Sequence, residues 1–147
     1  MLNVQSRYAL RQEVDDRLDE MIVRIRKLVD TTRVYESGGM QRAQFSNFSN
    51  VVRDTNSVEA VRTWIQYQIG RARQDAGWQM NGFGDKVLAE IDRLEQIAED
   101  IATRYPGSDR EKGVYYRQLR IALLRQFAGH LERYFYYRSK STGGNRD

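Results

Sequence analysis

The chain has 147 residues, 40% of them hydrophobic and 30% charged, with one proline, no cysteine and a net charge of +4. That length suits one domain that buries about two thirds of its unfolded surface, and the absence of cysteine excludes disulfides and thiolate metal sites. No segment approaches the roughly 20 apolar residues of a membrane span, and the opening MLNVQSRYALRQEVDD lacks the apolar run of a signal peptide, so the expectation is a cytoplasmic protein with no membrane partner.

Leu10, Val14, Leu18, Met21, Ile25 and Leu28 recur at helical spacing and predict a long amphipathic helix over about 5–33. Glu13/Arg17 and Glu20/Arg24 stand at i, i+4 on its other faces, each acid before its base, the better order for helix support. The stretch ESGGMQ ends it, because two adjacent glycines cost a helix about 2 kcal/mol relative to alanine. A shorter helix follows from about 41 to 53 with Phe45, Phe48 and Val52 inward. Ser57 is the natural N-cap of the next one, whose buried face is Val58, Val61, Ile65 and Ile69. Trp64 flanks that face, Gly70 offers room for a neighbouring helix, and Arg62, Gln66 and Arg73 fall on one polar edge.

The loop AGWQMNGFGD carries Trp78, Met80 and Phe83, too apolar to be left in water without cause. Folding back to cap the bundle is the preferred reading, and an aromatic finger that docks on a partner or stacks on a base is the functional one. Its glycines do not have the spacing or the context of a phosphate-binding loop. Asp85 is the expected N-cap of a helix reaching Tyr105, with Val87, Ile91, Leu94, Ala98 and Ile101 on its apolar face, and Pro106-Gly107 stops it. Ser108 and Glu111 then form a capping box for the last helix. That helix runs to about Arg138 with Tyr116, Leu119, Leu123, Phe127, His130 and Tyr134 on one face, widened by Leu124, Leu131 and Phe135, as in a central helix. The fold class is therefore all-α: a single-domain bundle of four long helices plus one short helix over 1–138, followed by a disordered basic tail at 139–147.

Catalysis needs groups that shuttle protons, attack or hold a metal, and the pattern offers none: the one histidine, His130, stands on an apolar face without an acid three or four positions away. The expectation is no enzyme, no cofactor, no metal and no small-molecule substrate. Charge is distributed unevenly. Residues 1–57 carry 9 Lys/Arg against 8 Asp/Glu, 58–105 carry 6 against 8, and 106–147 carry 9 against 4. The whole excess lies in the last third, where Arg117, Arg120, Arg125, Arg133, Arg138 and Lys140 interleave with Tyr115, Tyr116, Tyr134, Tyr136 and Tyr137. Arginine bonds phosphate in pairs and tyrosine stacks on bases, so single-stranded nucleic acid held by its backbone is the ligand that fits. The alternative is a helical protein–protein adaptor or a homo-oligomeric bundle without a nucleic-acid role, since Tyr and Arg are enriched at such interfaces too.

In VEAVRTWIQYQIGRARQDAGW, above all in WIQYQIGR, and again in FAGHLERYFYY, the chain resembles the small helical subunit of type III CRISPR effector complexes. The resemblance covers about a fifth of the sequence. It implies a non-catalytic antiviral-defence subunit that packs against copies of itself and other effector subunits. It also implies RNA binding, with Arg and Lys contacts to the backbone of guide RNA and of target RNA or single-stranded DNA. The positions that could carry those contacts are Arg62, Arg71, Arg73, Arg117, Arg120, Arg125, Arg133 and Arg138, with Trp78, Phe83, Tyr136 and Tyr137 as the partner interface.

Overall fold

The structure, a computed structural model, describes residues 2–141 and contains five α-helices: α1 Val4–Thr32, α2 Arg42–Asp54, α3 Val58–Arg71, α4 Phe83–Thr103 and α5 Asp109–Ser141. A 3₁₀ segment, Gly77–Gly82, joins α3 to α4, and there is no strand among the described residues. The all-helical bundle agrees with the sequence reading, but the lengths differ. Only α1, α4 and α5 are long, at 29, 21 and 33 residues, whereas α2 and α3 have 13 and 14. The helix α3 ends at Arg71, so Arg73 lies beyond it and the predicted edge of Arg62, Gln66 and Arg73 is not one helix face. Ser139, Lys140 and Ser141 extend α5 beyond the expected boundary at 138, and the remainder of the expected tail, 142–147, lies outside the described residues.

Helix α5 is the hub, packed against α1, α2 and α4. Its buried residues Tyr115, Leu119, Leu123, Leu124, Phe127, Leu131 and Phe135 span nearly its whole length. Around it, Phe45, Phe48 and Val52 of α2 and Val87, Ile91 and Ala98 of α4 are shut off from solvent. Ring contacts knit this core: Phe45 stacks on Phe135 at 4.3 Å between centroids and meets Phe83 edge-on at 5.8 Å. The caps expected at Ser57 and at Ser108/Glu111 form, with Ala60 N–H donating to Ser57 Oγ at 3.0 Å and Ser108 N–H to Glu111 Oε1 at 2.9 Å.

The loop before α4 folds back onto the bundle, as its preferred reading expects, and does not present Trp78 and Phe83 to a partner. Trp78 is 1% exposed and Phe83 0%, so both belong to the core and neither is available as a docking surface. Trp78 meets Phe48 and Trp64 edge-on, each at 5.8 Å, and Phe83 at 5.6 Å. The same segment closes two helices: the Asn81 amide donates to Thr32 O of α1 at 2.7 Å, and the Gln79 amide to Ile69 O of α3 at 2.7 Å. Orphan carbonyls at helix ends need such partners. The turn requires left-handed backbone at Asn81 (φ 51°) and Gly82 (φ 72°), and α4 starts at Phe83 with Gly82, not Asp85, as its N-cap.

Close approach also falls at a different glycine from the one expected. A Cβ on Gly70 would meet nothing within 4 Å, while one on Gly84 would lie 2.4 Å from Ile69 Cγ1 and 2.8 Å from Trp78 O. Gly84 is therefore the contact that lets α4 lie against α3 and the loop. Gly84→Ala should lower unfolding stability by about 1–3 kcal/mol through overpacking. Gly70→Ala should leave it unchanged or raise it by up to about 1 kcal/mol. Urea denaturation of the two variants checks the pair.

Candidate nucleic-acid interface

The eight arginines singled out from sequence divide into two groups of four. Arg62, Arg120, Arg125 and Arg138 are held inside the fold. Glu95 of α4 accepts from Arg120 Nη1 of α5 at 2.8 Å and also pairs with Arg62 of α3, tying three helices together at side chains that are each less than one fifth exposed. Arg62 reaches Asp92 as well, and Glu59 at 3.4 Å. Burial works against the Arg62 charge, but the fields and hydrogen bonds of Glu95, Asp92 and Glu59 outweigh it, so its pKa is raised. Arg120 also lies over the Tyr116 ring at 5.0 Å.

Arg125 serves the end of α2: it donates to Thr55 O at 3.0 Å and Asn56 Oδ1 at 2.9 Å. Arg138 pairs with Asp30 of α1, donates to the Tyr35 hydroxyl at 2.7 Å and lies over that ring at 4.3 Å. These arginines hold carboxylates, carbonyls and rings of their own chain, so of the eight positions that could carry contacts these four are engaged within the fold.

Arg71, Arg73, Arg117 and Arg133 are exposed. They do not form one continuous surface, because Arg71 lies over Tyr67 on α3, Arg73 follows α3, and Arg117 and Arg133 are more than four turns apart on α5. Of these four, Arg133 stands in a groove with a second exposed guanidinium and two tyrosine rings. That groove, of about 560 Å³, runs between α1 and α5 and is lined by Ile22, Ile25 and Arg26 from α1 and by His130, Arg133, Tyr134 and Tyr137 from α5. Arg26 and Arg133 are exposed and form no ion pair among the described residues. The floor is apolar, with Ile25 buried. On the α5 wall the Tyr134 and Tyr137 rings lie 6.0 Å apart, with Tyr137 64% exposed. The Tyr134 hydroxyl donates to Asp30 at 2.9 Å, which fixes the ring.

Sequence reasoning missed Arg26. The excess charge lies in the last third of the chain, and Arg26 belongs to a helix with nearly balanced charge; the signal is its place one position from Ile25, on the shoulder of the apolar stripe. His130, read as a packed side chain, is half-buried at the groove wall, and its pKa is lowered, first by burial and then by the field of Arg133. Tyr136 faces another way: Arg42 of α2 lies over its ring at 4.1 Å and Lys140 at 5.4 Å. No three His, Asp or Glu side chains gather to hold a metal among the described residues, and no helix there is long and apolar enough to cross a membrane.

The Glu95 network predicts a stability effect separate from binding. Glu95→Ala leaves two mostly buried guanidinium groups without their shared carboxylate and should cost on the order of 2–3 kcal/mol, read as a lowered denaturation midpoint. No protein family, characterised protein or solved structure matches this chain, so its site stands on its own geometry.

Proposed function

We propose that the chain is a non-catalytic helical subunit that holds single-stranded nucleic acid by its backbone along the α1–α5 groove. The observation that carries this reading is the pair of unpaired, exposed guanidinium groups, Arg26 and Arg133, set in one groove beside Tyr134 and Tyr137. Guanidinium forks bind phosphate oxygens in pairs, and exposed tyrosine faces stack on bases of any identity. Such a groove grips a strand without reading its sequence. The resemblance in WIQYQIGR and FAGHLERYFYY supports placing this activity in an RNA-guided, type III CRISPR-like effector. There the strand is guide RNA, target RNA or single-stranded DNA, and the neighbours are other effector subunits and further copies of this chain.

A second reading, a helical adaptor or homo-oligomer, draws on Val4, Tyr8 and Val23, which stand exposed on α1. Its signature is association that ignores salt and involves no nucleic acid.

Fluorescence anisotropy of labelled single-stranded RNA, titrated at several salt concentrations, tests the first reading. Wild type should bind with a negative dependence of log affinity on log salt. Arg26→Glu/Arg133→Glu should weaken binding by tenfold or more at low salt and flatten the slope by about one per lost phosphate contact. No binding at low salt, or a variant that changes sequence preference with affinity intact, contradicts it.

His130 adds a pH dependence. Its protonation places a third positive charge in a groove already lined by Arg26 of α1 and Arg133 of α5, with Tyr134 and Tyr137 beside it and the Asp30 carboxylate bonded to the Tyr134 hydroxyl. Bound phosphates favour the protonated imidazole, so affinity should rise as pH falls toward the lowered value of the free protein's His130, and His130→Ala should remove that rise. The free protein has the opposite sign. With the folded-state pKa lowered, the stability linked to His130 is fully present above the unfolded imidazole value and is lost as pH falls through the folded one.

A further inference from the structure

A second cleft, of about 340 Å³, opens between α2 and α3 away from the strand groove, within the range of small-ligand sites. Its floor holds Trp78, buried, and Trp64, half-buried, which are the only two tryptophans of the chain. Its walls are polar but balanced: one carboxylate, Asp54, one guanidinium, Arg71, and carboxamides. Two of these amides already serve the fold. Gln44 Oε1 accepts from Gln41 N–H at 2.7 Å, and Asn50 Oδ1 accepts from Arg53. The others do not. Asn47, Gln68 and Asp54 make no side-chain hydrogen bond or ion pair among the described residues, and Arg71 has only the Tyr67 ring, 5.7 Å away. Asp54 and Arg71 line one cleft without pairing with each other.

Stability does not explain Asp54. It is the last residue of α2, where the helix dipole disfavours a carboxylate, and it makes no ion pair, although Arg53 shares that turn. A cleft that offers an acceptor pair, a donor fork and free amides beside the half-buried Trp64 indole, with no net charge, suits a flat neutral ligand with donors and acceptors along its edge.

We propose that this cleft binds a nucleobase, with guanine preferred. Guanine presents two adjacent N–H donors, N1 and N2, which a carboxylate accepts together, beside O6 and N7, which a guanidinium addresses together. Asp54 takes the first pair and Arg71 the second, while Asn47 and Gln68 adapt to the remaining edge. Adenine and uracil lack the adjacent donor pair, and cytosine meets the carboxylate through its amino group alone. The base belongs either to a free nucleotide or to a strand from which it is turned out. The cleft is distinct from the α1–α5 groove, so this proposal holds or fails independently of strand binding there.

The indole N–H resonances of Trp64 and Trp78 in the ¹⁵N-labelled full chain report on this cleft directly. The four nucleoside 5′-monophosphates, which share one phosphate, are titrated in parallel, with glucose as a non-planar polar control. Saturable shifts with guanosine monophosphate, at least about tenfold tighter than with the other three, support the proposal. Asp54→Asn and Gln68→Ala, both on the cleft wall, should each weaken that binding with the rest of the amide spectrum in place. Equal responses to all four nucleotides or to glucose, no indole shift at millimolar nucleotide, or unchanged affinity in Asp54→Asn overturn it. Oligouridine with and without one central guanosine, titrated into Arg133→Glu, separates the two sources. A guanosine-dependent indole shift there assigns the cleft to a base within a strand, and a shift with the mononucleotide alone assigns it to a free nucleotide.

Discussion

The burial of α5 along nearly its whole length is the constraint on which the rest of the molecule depends. A helix surrounded by α1, α2 and α4 needs partners for the charges it brings inside, because an unpaired buried charge costs far more than a paired one returns; Arg120 Nε alone on this helix is left buried without one among the described residues. Its arginines are numerous, so the surrounding helices supply carboxylates, carbonyls and rings to receive them. Glu95 stands on α4 opposite Arg120, Asp30 on α1 opposite Arg138, and the end of α2 opposite Arg125. In the reverse direction, Glu132 of α5 accepts from Ser46 and Ser49 of α2, each at 2.9 Å. The hub is held by aromatic and aliphatic packing in its middle and by these polar ties along its flanks.

This arrangement separates net charge from available charge. A surplus of arginine in the last third of the chain suggests a broad basic face, but half of the arginines singled out are engaged within the fold, Arg62, Arg120 and Arg138 by carboxylates and Arg125 by carbonyl and amide oxygens. What remains outside is sparse and scattered, apart from the groove where Arg133 meets Arg26. Functional electrostatics here follow from which cations lack a partner, not from how many there are. The same criterion, applied to the α2–α3 cleft, distinguishes Gln44 and Asn50, which already have partners, from Asn47, Asp54 and Gln68.

Helix periodicity made most of the fold legible in the sequence. The stripe of α1, the inward Phe45, Phe48 and Val52 of α2, the Ser57 cap and the Ser108/Glu111 box are local signals, and local signals survive folding. Partners that come from distant parts of the chain were not legible. Nothing near Arg62 in sequence announces Asp92 and Glu95, some thirty residues later, and nothing near Gly84 announces Ile69. The loop at 77–82 illustrates the limit: its apolar residues were visible, but whether Trp78 would meet a partner or its own core depended on Phe48 and Trp64, brought there by two other helices. Arg26 escaped for the same reason, since its value lies in facing α5.

The 3₁₀ segment has one further effect. Gln79 and Asn81, two residues apart, close the carboxyl ends of α3 and α1, which are far apart in sequence. Local opening in a protein usually begins at such helix ends, each fraying on its own. Here the two ends share one clasp, so releasing it uncovers a carbonyl at each, Thr32 and Ile69, while the backbone N–H groups of Arg33 and Ala72 still close the last turns. The carboxyl ends of α1 and α3 are thus tied to one another through a single short segment, and any change in that segment reaches both.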